Sequence, residues 1–537
     1  MSATLRRCSA PAAIAVAALA LRLIAGVGFA NYDTLYALAW GGQLARGVAP
    51  AYEIAIAPTP HPLYELLGLV LYPLGPHATV EVVVAIAFLA LAGCGWVIYR
   101  LGALWFGPAA GALAALLFLT RVPVLSYGVR AYVDLPYLAL VLCAVLVEAQ
   151  RRAVRPPREE ARAAEETRAA EETRAAEQTD AAEQTDAAEE AGDAPDAGAR
   201  VLALLALAGL LRPEAWAFSA LYSLYLLGVT PAWACRSLRQ RAPQARAVAH
   251  PGLRTRGGLA RLTLLAAAVP IAWIGSDLLI TGDPLWSLTH TQKTAETLHR
   301  VTGIANVPQY IPRRVGEILR VPVLAGAAIG GLLSLAWLRP RALLGAAVGI
   351  IAVVVFAAFA AAGLTINSRY AFLIAAVLCI FCGAGVCGWT ELPRGDPRRR
   401  RWIAAGALVL VALIAYAPAQ YRSAHRQMQI LARQHAIEGD LVALVRSGAV
   451  NLRCGPVSVP NHAPVPLLAL YLRTSPANVV SLQSGHIHNG VYVDPASKEV
   501  ERNYVLAAHD PVEPVSVPPG FREAATNRSW LIFRRCA

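Results

Sequence analysis

Lysine is nearly missing from this chain of 537 residues, in which Lys293 and Lys498 are the only lysines. Charge of either sign is also scarce at 15%, whereas hydrophobic residues reach 56% and the mean hydropathy is +0.47. Apolar runs near 20 residues long recur throughout, and about 20 helical residues span the roughly 30 Å hydrocarbon core of a bilayer. We interpret the chain as a polytopic membrane protein.

Segments of about ten residues with alternating polarity are missing, which excludes a membrane β-barrel and favours helices. A separate basic polar domain is missing too, although the net charge is +13 and the pI is about 9.5. The arginines lie mostly in short loops between apolar runs, where the positive-inside rule places them. We therefore expect a lipid bilayer and no nucleic acid as the partner.

Metal-ligand spacing is missing from the nine cysteines except at Cys379, Cys382 and Cys387. Those three fall within a predicted span, where small buried thiols are the simpler interpretation. Cys454 and Cys536 each lie beside a strand-like run. On an oxidising face of the membrane these two could form a disulfide.

Eleven apolar segments are predicted to cross the membrane. Arg6 and Arg7 precede the first segment, which has no clear cleavage site, so we expect a retained span with a cytoplasmic N-terminus. The predicted spans are about 11–30, 79–99, 108–126, 133–149, 200–211, 212–227, 262–280, 321–338, 343–363, 371–389 and a last segment that ends near Pro418. Residues 62–75 are too short to span and predict an interfacial or re-entrant helix.

The predicted organisation is a helical membrane region, 1–419, followed by a small external α/β domain, 420–537. Within the first region, residues 151–199 contain a six-residue acidic repeat without large apolar side chains, which predicts a disordered cytoplasmic loop. The second region combines a helical apolar period between Ile430 and Leu444 with the strand-like runs VSV, NVVSL, GVYV, YVLAA and WLIF.

Charged and aromatic residues gather in the segments that this topology places outside. The candidate catalytic residue is Asp33, and the candidate substrate-binding residues are Glu53, His61, Arg130, Asp134, Arg212, Glu214, Arg369 and Tyr370. Arginine matches phosphate geometry, and a carboxylate can take the proton of an attacking sugar hydroxyl. The combination suits a substrate that is a lipid with an anionic head group.

Seven of these nine residues also have a structural interpretation, and those alternatives stay open. They are Asp33 as a polar span boundary, Asp134 as a helix N-cap, Arg212 and Glu214 as a local ion pair, Arg369 as an interfacial anchor with Tyr370, and His61 as a structural residue between two prolines. The pair His486 and His488 is interpreted as a solvated turn.

Four groups of short motifs resemble the GT-C class of integral membrane glycosyltransferases, which includes the protein mannosyltransferase and aminoarabinose transferase families. They are YDT at 32–34 with TPHPL at 59–63, YVDLP at 132–136, LRPE at 211–214 and SRY at 368–370. The resemblance implies a polyprenyl-phosphate-linked sugar as donor and a glycan, lipid or protein as acceptor.

The resemblance also implies that Asp33 is the general base and that the sugar carbon is inverted. Many members have a doubled acidic motif at this loop, whereas this chain has Tyr32 and Thr34 beside Asp33. That departure argues against a bound divalent metal, although Asp134 could supply a second carboxylate. No other cofactor is implied.

Two other classes of function compete with an enzyme. A transporter or lipid flippase also needs charged groups that face a cavity, but the chain lacks the internal repeat that many transporters have. A scaffold whose external domain binds cell-wall polymers is the third interpretation.

Overall fold

The computed structural model describes residues 3–154, 194–227, 256–505 and 517–536. Most of the predicted acidic loop, 151–199, therefore lies outside the described residues. The helices are α1 (Ala3–Ala25), α2 (Tyr32–Ala45), α3 (Pro62–Leu71), α4 (Pro76–Phe106), α5 (Pro108–Leu119), α6 (Val122–Val129), α7 (Asp134–Val154), α8 (Ala194–Gly209), α9 (Glu214–Leu226), α10 (Arg256–Thr281), α11 (Trp286–Thr297), α12 (Val307–Trp337), α13 (Arg339–Ala361), α14 (Phe372–Cys387) and α15 (Pro397–Arg446).

Each of the eleven predicted spans overlaps one helix or two consecutive helices. Among the described residues, six helices are long and apolar enough to cross a membrane, and α5 with α6 makes a seventh if the bent pair counts as one span. The predicted interfacial segment forms the short helix α3. The helical, multi-pass membrane architecture is confirmed.

The third predicted span is not one straight helix, because α5 and α6 meet at an angle of 64°. Arg121 lies at this bend, is only 4% exposed, and donates from Nε to the carbonyl oxygen of Leu117 at 2.8 Å. It also donates to the carbonyl oxygen of Leu319, next to a second helix break at Arg320 where φ is +64°. Backbone groups freed at membrane depth need partners, so one arginine stabilises two broken helices.

Small residues allow α12 and α14 to approach each other closely. A Cβ atom at Gly330 would lie 1.8 Å from the carbonyl oxygen of Phe381, and one at Gly385 would lie 2.6 Å from the carbonyl oxygen of Gly326. Membrane helices associate through such small-residue contacts, where backbones meet directly. This interface therefore tolerates no side chain at Gly330.

The C-terminal domain is a mixed sheet with helices around it. Its elements are β1 (Val457–Val459), α16 (Val465–Tyr471), β2 (Val479–Ser481), β3 (Gly490–Pro495), α17 (Lys498–Val500), β4 (Arg522–Thr526) and β5 (Trp530–Arg535). The strand order is β2-β1-β3-β5-β4, in which β1 runs parallel to both neighbours and β5 runs antiparallel to both of its own.

One helix connects the membrane region to this domain. At about 1.5 Å per residue, the 50 residues of α15 reach about 75 Å. Its apolar side chains Leu408, Val411 and Ile414 are exposed, as a lipid-facing surface requires, whereas farther along the indole nitrogen of Trp530 donates to the carbonyl oxygen of Ile437 at 3.0 Å. The predicted boundary at 419/420 falls within this continuous helix.

The predicted strands VSV, NVVSL, GVYV and WLIF are confirmed as β1, β2, β3 and β5. The prediction at YVLAA is wrong for Tyr504 and Val505, which end a π-helical turn, and its remaining residues lie outside the described part. Tyr504 is buried and its ring meets that of Trp530 edge to face at 5.8 Å. Packing on the neighbouring indole thus overrides strand propensity.

A disulfide joins Cys454, which precedes β1, to Cys536, which follows β5. The pairing that the sequence left open is therefore present. It connects positions 82 residues apart, so it restricts the unfolded chain strongly.

We expect Gly330→Ala to destabilise the membrane region by about 1–3 kcal/mol, because the added methyl group overpacks the contact with α14. Thermal unfolding of purified protein in detergent measures the loss. Gly331→Ala is the matched control, since its Cβ would lie 4.0 Å from the nearest atom, Cδ1 of Phe381. Equal melting temperatures for the two variants would contradict the close approach.

We expect reduction to release two more thiols in the wild type than in the double variant Cys454→Ser/Cys536→Ser. Labelling of the denatured protein with a maleimide polymer counts these thiols as steps of gel mobility. Loss of the disulfide should cost the C-terminal domain about 2–5 kcal/mol. Wild-type protein that labels at two more thiols than the double variant both with and without reductant would refute the pairing.

Candidate active site

A cavity of about 560 Å³ lies where the loops between helices meet the C-terminal domain. Six of the nine predicted site residues line it, namely Asp33, His61, Arg212, Glu214, Arg369 and Tyr370. They come from four separate stretches of the chain, so the fold brings together residues that the sequence only suggested as neighbours. His462 of the C-terminal domain completes the wall on that side.

The other three predicted residues lie elsewhere. Asp134 lines a smaller cleft of about 30 Å³ that shares Arg212, Arg369 and Tyr370 with the cavity. Glu53 is exposed and outside the cavity wall. Arg130 also lies outside it, with its guanidinium 5.0 Å from the ring centre of Tyr132.

The start of α2 positions Asp33. The side chain of Asn31 caps this helix by accepting a 2.7 Å hydrogen bond from the backbone of Thr34, whose hydroxyl donates to the carbonyl oxygen of Ala131 at 2.8 Å. Asp33 is therefore fixed in the first helical turn, where the helix dipole favours a negative charge.

Asp33 forms an ion pair with Arg369, and their side chains are only 13% and 20% exposed. Burial by itself raises the pKa of Asp33, but the charge of Arg369, its hydrogen bond to the carboxylate and the charge of Arg300 outweigh it and hold that pKa below its usual value. The carboxylate is therefore ionised at neutral pH, which is the state that a general base needs.

Arg212 binds two carboxylates in an almost fully buried cluster. Its Nη2 lies 2.6 Å from Oε1 of Glu214, and its Nη1 donates to Oδ1 of Asp134. The local ion pair considered from the sequence is thus present, with Asp134 as a second acid. The guanidinium also lies 4.5 Å from the ring centre of Tyr370. Buried charges persist only with such partners.

His61 connects the first long loop to the turn before α9. Its Nδ1 lies 2.8 Å from the carbonyl oxygen of Leu211, so this nitrogen donates. Burial lowers the pKa of His61, and the charges of Arg212 and Arg369 add to that effect against the opposing charge of Asp33. A neutral, oriented imidazole is expected at pH 7, in keeping with the structural interpretation.

Glu65 stabilises the loop that contains His61. It is 4% exposed and accepts hydrogen bonds from the hydroxyl of Tyr52 at 2.5 Å and from the backbone of His61 at 3.2 Å. Burial raises the pKa of Glu65 to about 7. In the sequence, the position of Glu65 after Pro62 in an apolar helix is only a weak indication of a functional role.

Arg300 and Asp277 are two wall residues that sequence reasoning missed. Among the described residues Arg300 makes no ion pair, which leaves its charge available to a ligand. Asp277 accepts hydrogen bonds from the backbone and hydroxyl of Ser287, both at 2.9 Å. A charged residue in the external segment next to α11 was the available signal for Arg300.

No cluster of three or more His, Cys, Asp or Glu side chains in the described ranges is arranged to hold a metal ion. Asp134, the suggested second carboxylate, is bonded to Arg212 rather than facing Asp33. The cavity wall combines the carboxylates of Asp33, Glu214 and Asp277 with cationic and aromatic side chains.

The fold is similar to that of the GT-C class of membrane glycosyltransferases, as the sequence motifs suggested. No known protein family and no curated protein matches the sequence. ArnT from Cupriavidus metallidurans in the apo state superimposes with a TM-score of 0.54 at 13% identity over 97% of this chain and 96% of ArnT. The same protein bound to undecaprenyl phosphate gives 0.51 at 14% identity, with 97% of each chain covered.

A weaker likeness is to AglB, the oligosaccharyltransferase of Archaeoglobus fulgidus, in complex with an inhibitory peptide and a dolichol-phosphate. The TM-score is 0.45 at 11% identity, and the match covers 88% of this chain and 64% of AglB. No inference rests on it. The likeness to ArnT is one of fold over nearly the whole chain.

We expect Arg212→Gln to destabilise the protein by about 3–5 kcal/mol, because it leaves two buried carboxylates without their cation. Thermal unfolding in detergent measures the change, and adding Asp134→Asn should recover part of it. The matched control is Arg313→Gln, whose exposed pair with Glu317 contributes at most about 1 kcal/mol. Equal losses for the two arginines would contradict the buried cluster.

Proposed function

We propose that this protein is a membrane glycosyltransferase that moves a sugar from a polyprenyl-phosphate donor to an acceptor on the outer face of the cytoplasmic membrane. The observation that carries the proposal is that the carboxylate of Asp33 lines the same cavity as Arg212, Arg300 and Arg369. The ArnT-like fold supports the same class of reaction.

Asp33 acts as the general base in this proposal. It takes the proton from the acceptor hydroxyl while that oxygen forms a bond to the anomeric carbon of the sugar. The bond from this carbon to the phosphate oxygen breaks, and polyprenyl phosphate leaves with the electron pair. Attack opposite to the leaving group inverts the sugar carbon. A hexosyl or pentosyl unit fits this chemistry equally.

The arginines stabilise the phosphate on which negative charge develops. Guanidinium groups match phosphate oxygens with two parallel hydrogen bonds, and a site of low water content strengthens them. The smaller cleft that contains Arg212 and Arg369 is lined by the carboxylates of Asp134 and Glu214 as well as by apolar side chains that include Phe218, Val355 and Phe356.

We infer the orientation from the distribution of the arginines. They collect in the segment 394–401, which spans the start of α15, at the end of this helix opposite to the one that reaches the C-terminal domain. By the positive-inside rule that face is cytoplasmic, so the cavity and the C-terminal domain lie outside. A glycan, lipid or protein acceptor then reaches Asp33 from the external side.

We expect Asp33→Asn to lower transfer from a radiolabelled polyprenyl-phosphate sugar by about 10²- to 10⁴-fold, because asparagine cannot accept the hydroxyl proton. Membranes that contain equal amounts of inserted protein provide the assay. The control is Glu296→Gln, an exposed acid in α11 outside the cavity wall, which should keep full activity.

Undiminished turnover by Asp33→Asn would refute the role of this residue. Movement of a labelled solute across proteoliposomes without covalent transfer would instead favour the transporter interpretation.

A further inference from the structure

In the site without a ligand, the contact of Asp33 with Arg369 opposes the proposed role of Asp33 as a base. Asp33 is bonded to Arg369, and this hydrogen-bonded ion pair occupies one of its two carboxylate oxygens. A carboxylate held by a guanidinium is a weak proton acceptor, because the positive charge favours the ionised form. The inference below rests on the proposed function and concerns how this pair opens.

Arg369 is placed to take another anion. Its side chain lines both the large cavity and the smaller cleft, so it lies where the two spaces meet. Its buried Nε finds no hydrogen-bond acceptor among the described residues. The guanidinium therefore has an unused donor in addition to the one given to Asp33.

The neighbouring cations differ from Arg369 in this respect. Arg212 is saturated by Asp134 and Glu214 within a buried cluster. Arg300 is exposed and makes no ion pair in the described part of the chain. Arg369 is thus the cavity cation that contacts the base, and a phosphate that binds it competes with Asp33 directly.

We propose that the donor phosphate displaces Asp33 from Arg369, so that the carboxylate becomes a free base only when the donor is bound. A phosphate offers several oxygens to the guanidinium, whereas Asp33 holds it through one carboxylate oxygen at one nitrogen. The acceptor hydroxyl is then deprotonated only when the sugar donor is bound in the cavity. In this scheme Arg369 binds the donor phosphate, and it holds Asp33 before the donor arrives.

Competition for one cation is reciprocal. If phosphate weakens the contact between Asp33 and Arg369, then Asp33 must weaken phosphate binding by the same factor. Removing the charge of Asp33 should therefore tighten lipid phosphate binding. A purely structural ion pair predicts the opposite, because its loss would loosen Arg369.

The test is the affinity of purified protein in detergent for a short-chain polyprenyl phosphate at pH 7, measured by calorimetry. We expect Asp33→Asn to bind roughly tenfold more tightly than the wild type, within the range of typical site coupling. The matched control is Asp283→Asn, which removes a carboxylate outside the cavity wall that accepts a hydrogen bond from the backbone of Leu285 rather than from arginine. Its affinity should stay within about twofold of the wild type.

Equal or weaker binding by Asp33→Asn, with normal binding by the wild type, would overturn the displacement and leave the proposed function intact. If neither protein bound the lipid phosphate, the donor class would be wrong and the displacement with it.

A second measurement needs no variant. The acid limb of kcat/KM for the donor reports the free enzyme, and that of kcat reports the loaded enzyme. Because Arg369 holds the pKa of Asp33 low only before loading, the acid limb of kcat should lie at higher pH. Coincident limbs would overturn the proposal.

Discussion

The ion pair between Asp33 and Arg369 joins parts of the chain that are 336 residues apart. Charges at the ends of membrane helices are costly unless they pair or face water, and this site satisfies both conditions at once. Arg212 joins Asp134 to Glu214 by the same rule. The pairs stabilise the wall of the cavity while they keep their charges within reach of a ligand.

The cavity exists because several helices stop before they fill the space between them. α8 ends at Gly209 and α9 begins at Glu214, so the intervening turn presents Arg212 at depth. The bend between α5 and α6 and the break at Arg320 are similar interruptions, and Arg121 satisfies the carbonyl groups that they release. Irregular backbone in such a protein is found where it is buried or lines a cavity.

The C-terminal domain takes part in the site rather than only following it. α15 continues without interruption from the membrane region into contact with β5, where Trp530 donates to Ile437. At the other edge, the ring of His462 lies 5.3 Å from that of Tyr32, the residue before Asp33. Nδ1 of His462 lies 2.9 Å from Oε1 of Gln483, and the backbone N–H of His462 donates to the same oxygen at 3.2 Å. These contacts fix the position of His462 in the cavity wall.

The sequence by itself determined the helical membrane class, the positions of the eleven apolar segments and the acidic and basic residues available for chemistry. Composition and the length of apolar runs suffice for this, because the thickness of a bilayer sets the length of a span. Short motifs such as LRPE and SRY were also enough to suggest Arg212, Glu214 and Arg369 as site residues.

Only the tertiary structure decided which charges meet. Arg300 lines the cavity and Glu53 does not, although both belong to predicted external segments. The strand β4 and the helical turn at Tyr504 could not be predicted from the sequence either. Pairing with β5 determines the strand, and packing on the ring of Trp530 determines the turn. Pairing between distant residues depends on packing and on the avoidance of unpaired buried charge, and neither quantity is local to the sequence.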